Sequence, residues 1–179
     1  MSATATEPAA QWAAWRQAVA TEPDLVAAVD GVHRAAEAET VRHEGRCDQS
    51  GRCCRFESHG HRLYVTGLEA ALFLSRVDAG AEREPGGDAI RRLPVLQIGT
   101  NAMGPRYADA CPYQIDGLCS THRIRPLGCR VYFCGGEGDG WQEAIYERAT
   151  ERLRALHTAH GLPYRYAEWR ALLAEGEGA

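Results

Sequence analysis

The residues best suited to chemistry in this 179-residue chain are its seven cysteines, which fall in two groups. Cys47, Cys53 and Cys54 sit in "CDQSGRCC"; after 56 residues come Cys111, Cys119, Cys129 and Cys134. The pattern reads C-x5-C-C, then C-x7-C-x9-C-x4-C. A thiolate is a soft ligand, and four of them satisfy a tetrahedral zinc ion or an iron–sulfur cluster. Adjacent cysteines usually point different ways, so Cys53 and Cys54 either serve two metals or one binds while its neighbour packs. The chain lacks the paired C-x2-C knuckles of zinc ribbons and the C-x2-C-x2-C run of bacterial ferredoxins. Ligands must therefore be gathered from both halves of the chain across an already folded scaffold.

Two other uses of the thiols compete with this one. Disulfides are disfavoured by an odd count and by the absence of a basic n-region and apolar h-region in the first residues, from which a reducing, cytoplasmic location is expected. Buried, inert thiols are common in cores, but most of these cysteines stand among Gly, Pro, Arg and Asp rather than in apolar periodic stretches. A thiol–disulfide protein using Cys53 and Cys54 directly would bind no metal. Net charge of −4 argues against a general nucleic-acid binder, and no run reaches the ~18 apolar residues of a membrane span.

Around the cysteines, His59, His61 and His122 are near enough in sequence to complete a second site. Arg42, Arg46, Arg52, Arg55 and Arg62 flank the first group, and Arg125 and Arg130 bracket Cys129. Cations beside a thiolate centre offset its negative charge, and this role is favoured over an anionic substrate for Arg52, Arg125 and Arg130. "GGEGDG", residues 135–140, has neither the Lys-Ser/Thr of a phosphate loop nor the spaced acids of an EF-hand, and reads as a connector. His157 and His160 read as exposed helix residues, and the carboxylates as solvated helix faces.

The elements that must hold these residues are mostly helical. Trp12, Trp15 and Val19, then Leu25, Val29, Val32 and Ala36, mark two helices over 7–42, with Pro23 at the first turn of the second. "HRLYVT" reads as a short strand, and Thr66 with Glu69 forms a capping box opening a helix that turns Leu68, Leu72 and Phe73 inward. Residues 78–94 read as loop. "CPYQIDGLC" predicts a hairpin about Asp116-Gly117 that returns Cys119 toward Cys111. A helical turn over 121–125 ends before Pro126. Asp139 with Gln142 predicts a capped helix over 141–160, bearing Trp141, Ile145, Ala149, Leu153 and Leu156 on its apolar face. A last helix spans 164–174, with Gly176 as its stop. The expected fold is a single α+β domain over 1–179, mainly helical, with a short β-hairpin region around a cysteine-ligated metal centre in 45–134.

"CDQSGRCC" followed by "CPYQIDGLCSTHRIRPLGCR" resembles the YkgJ-type cysteine-cluster family, described as a zinc- or iron-chelating domain. The likeness covers about 45–134, and Arg125-Pro126 with Cys129-Arg130 is its most distinctive part. Ser50 stands where the fuller family pattern has a cysteine, so a set of eight thiolates is not implied. A similar domain in flagellin lysine N-methylases implies an iron–sulfur centre. The expectation is a metal-binding protein with Cys47, Cys53, Cys54, Cys111, Cys119, Cys129 and Cys134 as the ligand pool, and Cys54, Cys119, Cys129 and Cys134 as the preferred core set. An iron–sulfur cluster, the 4Fe-4S type included, is favoured slightly over zinc. The alternatives are a metal-dependent redox or protein-modifying, methyl-transfer-like enzyme and a zinc-stabilised structural module. The partners implied are the metal and, beyond it, a protein, with no nucleic acid or membrane.

Overall fold

In the computed structural model the described residues are 8–45, 50–80, 110–115, 118–132 and 140–177. Cys47, Cys134, Asp139 and the Asp116-Gly117 turn lie outside them, as does most of the loop read over 78–94. The described part is mostly helical with two small antiparallel sheets, an α+β arrangement. Helices α1 (Pro8–Thr21) and α2 (Pro23–Arg42) are followed by a single 3-10 turn at Arg52–Cys54, strand β1 (Tyr64–Thr66) and helix α3 (Gly67–Asp78). Strands β2 (Gln114–Ile115) and β3 (Leu118–Cys119) form the expected hairpin. Then come α4 (Leu127–Val131), α5 (Trp141–Ala159), β4 (Tyr166–Glu168) and α6 (Trp169–Glu177).

Two apolar clusters form the core. Trp12, Trp15, Phe73, Trp169 and Leu172 anchor one; Leu25, Val29, Leu72, Ile145 and Leu153 anchor the other. The paired tryptophans are packing residues, with rings edge-to-face at 5.5 Å. Trp15 lies directly on Gly67, where an added Cβ would stand 2.2 Å from its ring. The indole is wedged between helices and cannot yield. Gly67→Ala is therefore expected to destabilise the protein by about 1–3 kcal/mol, read as a lower midpoint in urea at unchanged slope.

Three expectations are corrected here. The last helix begins at Trp169, because residues 166–168 pair with β1 in the register Tyr64↔Glu168, and Glu168 then caps α6 by accepting from the Ala171 N–H at 3.0 Å. Gly176 lies buried inside that helix against Trp12 and Leu74, so its small size serves packing rather than termination. His157 is fully buried, donating from Nδ1 to the Pro163 carbonyl at 2.9 Å, and desolvation holds its pKa below the usual imidazole value. Helix α5 is entered through Gly140 at φ 64°, with no side-chain cap. A left-handed residue at that position needs no side chain to turn the chain. Among the described residues no helix is long and apolar enough to cross a membrane.

Candidate thiol site

Five cysteines are described, all as free thiols: Cys53, Cys54, Cys111, Cys119 and Cys129. They come from three segments. Gly51, at φ 69°, starts the tight turn that carries Cys53 and Cys54, and the Cys54 N–H closes it on the Gly51 carbonyl at 3.2 Å. The second segment is tied straight onto this turn. The Cys111 N–H donates to the Cys54 carbonyl at 2.7 Å, and the Gln114 side-chain amide donates to the Gly51 carbonyl at 2.9 Å. The hairpin register Gln114↔Cys119 then returns the fourth thiol. Cys129 rides on α4, in the turn after Pro126.

The turn is clamped to the scaffold by a buried arginine. Arg170 of α6 pairs with Glu168 at 2.8 Å and with Glu57 at 3.0 Å, and its guanidinium lies over the Phe56 ring at 5.2 Å. Helix α4 is fixed by a carboxylate absent from the sequence-based site. Glu69 is almost fully buried: one oxygen accepts from the Leu127 N–H at 2.9 Å and from His33 Nε2 at 3.1 Å, the other from the Thr66 N–H and hydroxyl. The expectation that the carboxylates are all solvated is thus corrected. A capping box was legible, but one acid serving α2, α3 and α4 together was not, since His33 and Leu127 are remote in sequence. Burial alone would push the Glu69 carboxyl up, but His33 and the N–H donors outweigh it and hold it below its usual value.

Cys54 is the electrostatic hub of the thiols. It is buried, and its Sγ is 3.9 Å from that of Cys53. Interaction with Cys111 first, then with Cys119 and Cys53, raises the Cys54 thiol far above the ordinary range. The same interactions lower its neighbours: Cys53 to about 7, Cys119 to about 6, and Cys111 below its usual value. Cys119 is further helped by Thr121, whose hydroxyl is 3.7 Å from its sulfur. Cys129 is pushed up by burial and by the negative charge of the nearby sulfurs. The thiols in contact are thus Cys53 and Cys54, with Cys111, Cys119 and Cys129 within electrostatic reach. Cys54, Cys119 and Cys129 of the preferred core set belong to this group, and Cys134 lies outside the described residues.

The flanking cations divide. Arg125 lowers the pKa values of Cys53, Cys119 and Cys129, so its charge reaches the thiols. It also pairs with Glu37 at 3.2 Å. Arg130 pairs with Glu37 at 2.8 Å and donates to the carbonyls of Arg125 and Arg123, which makes it a brace for the 121–126 segment. Arg52 is exposed on the turn. Of the histidines, His61 donates from Nε2 to the Cys53 carbonyl at 3.3 Å and stacks on Tyr132, His122 lies against Arg125, and His59 is exposed.

Among the described residues no group of three or more Cys, His, Asp or Glu side chains stands in a geometry already set for a metal ion. The donor chemistry nonetheless fits a soft cation. Two thiolates on one tetrahedral ion at about 2.3 Å stand about 3.8 Å apart, close to the 3.9 Å between Cys53 and Cys54. No family model, curated protein or solved structure matches this chain.

Proposed function

We propose that this chain is a metal-binding protein whose cysteine cluster holds an iron–sulfur centre or a zinc or iron ion. The observation that carries the reading is the convergence on Cys54: the Cys53 sulfur at 3.9 Å, Cys111 bound through its N–H to the Cys54 carbonyl at 2.7 Å, and Cys119 returned by the hairpin. A soft cation bound there would draw in these four sulfurs and displace their protons. Arg125 would offset the charge of the thiolates. The likeness of both cysteine blocks to a zinc- or iron-chelating family supports the same reading, and a reducing cytoplasm would keep the thiols available. Zinc would supply a structural tie or Lewis acidity, and a cluster would supply electron transfer.

A second reading rests on a separate observation. A cavity borders Cys53 and Cys129, so one side of the thiols faces open space rather than packed core. That arrangement favours use of the centre by a redox or protein-modifying enzyme over a purely structural module.

Metal and acid-labile sulfide, measured on protein purified without oxygen, test the proposal. The expected result is bound iron with sulfide and visible colour, or stoichiometric zinc without colour. Removal of the metal with a chelator is expected to lower the melting temperature by several degrees, because the ligand binds only the native state. Metal-free protein with all seven thiols titratable and an unshifted melting temperature would overturn it.

A further inference from the structure

The cavity beside the thiols is an open cleft of about 240 Å³, and five rings line it: His61, Tyr64, Tyr132, Tyr146 and Tyr166. Three of these are unusually open to solvent for their size, with Tyr132 at 37%, Tyr64 at 39% and Tyr166 at 40% exposure. Apart from the thiols, tyrosines and His61, its ionisable lining is Arg62 and Glu143, both exposed and opposite in sign. Away from the thiols the cavity therefore presents no net charge to a ligand. Its size exceeds that of an apolar cavity of about 150 Å³ that takes up benzene, so a molecule of one or two rings has room.

The hydroxyls define its polar end. Tyr146 donates its single proton to the Tyr64 carbonyl at 2.8 Å. In the 2.6 Å contact between the Tyr146 and Tyr166 oxygens, the donor must then be Tyr166. Burial pushes the Tyr146 phenol up, so it stays neutral. The Tyr166 oxygen is left with acceptor capacity and no proton to give.

We propose that this cavity binds a small neutral aromatic molecule with one hydrogen-bond donor, of the phenol or indole class, its donor on the Tyr166 oxygen. Ring faces supply the aromatic preference, since π-systems favour offset or edge contacts with one another. The proposal is carried by the rings and the Tyr166 oxygen, whichever species the bordering thiols hold.

Phenol, indole and cyclohexanol titrated calorimetrically into the full chain, with metal content read separately on the same samples, test it. The expected result is saturable binding of phenol and indole, with cyclohexanol at least tenfold weaker. Tyr166→Phe is expected to weaken phenol about tenfold, as one lost hydrogen bond does, and to leave toluene unchanged. On unmodified metal-free protein, indole is also expected to slow alkylation of Cys53 at least threefold, a readout that needs no variant. Absence of saturation, equal binding of cyclohexanol, an unchanged phenol affinity in a folded Tyr166→Phe protein, or no protection of Cys53 would each overturn it.

Discussion

Cys54→Ser is expected to abolish metal binding, with at least a hundredfold loss of affinity in competition with a chromophoric chelator. The magnitude follows from position. Cys54 meets Cys53 through its sulfur and holds Cys111 through its carbonyl, so it stands where the two halves of the chain join. A serine hydroxyl keeps its proton at neutral pH and is a poor replacement ligand. Groups that hydrogen-bond to the ligands of a metal site cost about 10–100-fold when removed, and a central ligand must cost more. Arg125→Gln, which removes the offsetting charge and the pairing with Glu37 but no sulfur, is expected to fall within that smaller range. Affinity should also drop as pH falls through about 7 and then about 6, where Cys53 and Cys119 take up protons that compete with the metal. A Cys54→Ser protein with wild-type metal content would move the centre away from this hub, toward Cys47 and Cys134.

Glu69→Ala carries the largest expected loss of stability, about 3–5 kcal/mol. Its carboxylate answers His33, the Thr66 N–H and hydroxyl, and the Leu127 N–H in a site closed to water. Truncation leaves those donors buried and unpaired, which is a sizeable share of a total stability of about 5–15 kcal/mol. Urea unfolding of both proteins measures the difference, and a change below about 1 kcal/mol would contradict the assignment. The pH dependence has a definite sign. The folded carboxyl lies below its unfolded value of 4.5, so its contribution is full above that value and is lost as pH falls through the folded pKa. The wild-type protein should therefore lose more stability on acidification than Glu69→Ala does. Because Glu69 holds the first turn of α4, the variant should also loosen Cys129, seen as faster alkylation of that thiol.

How much of this was legible in advance differs by kind of feature. Trp12, Trp15, Leu25, Val29, Leu68, Leu72, Ile145 and Leu153 could be read as core because helical periodicity is a local property, and all are buried. The Thr66–Glu69 capping box was readable because its partners are three residues apart. The strand at 166–168 was not, because its pairing is with residues some hundred positions earlier, and a three-residue strand has no period to detect. His157 looked exposed for the same reason: Pro163 and Trp15 cover it, and only the fold brings Trp15 there.

The site divides in the same way. Residue chemistry alone pointed to the thiols as the candidate reactive set, and to soft-metal ligation from both halves of the chain as the use to test. Tertiary structure decided the rest. It joined Cys111 to the Cys53–Cys54 turn through one backbone hydrogen bond, set the Cys53 and Cys54 sulfurs 3.9 Å apart, tied both Arg125 and Arg130 to Glu37, and opened an aromatic cavity against Cys53. Side-chain type sets what a group can bind. Which groups meet depends on long-range packing, and sequence spacing carries no record of that.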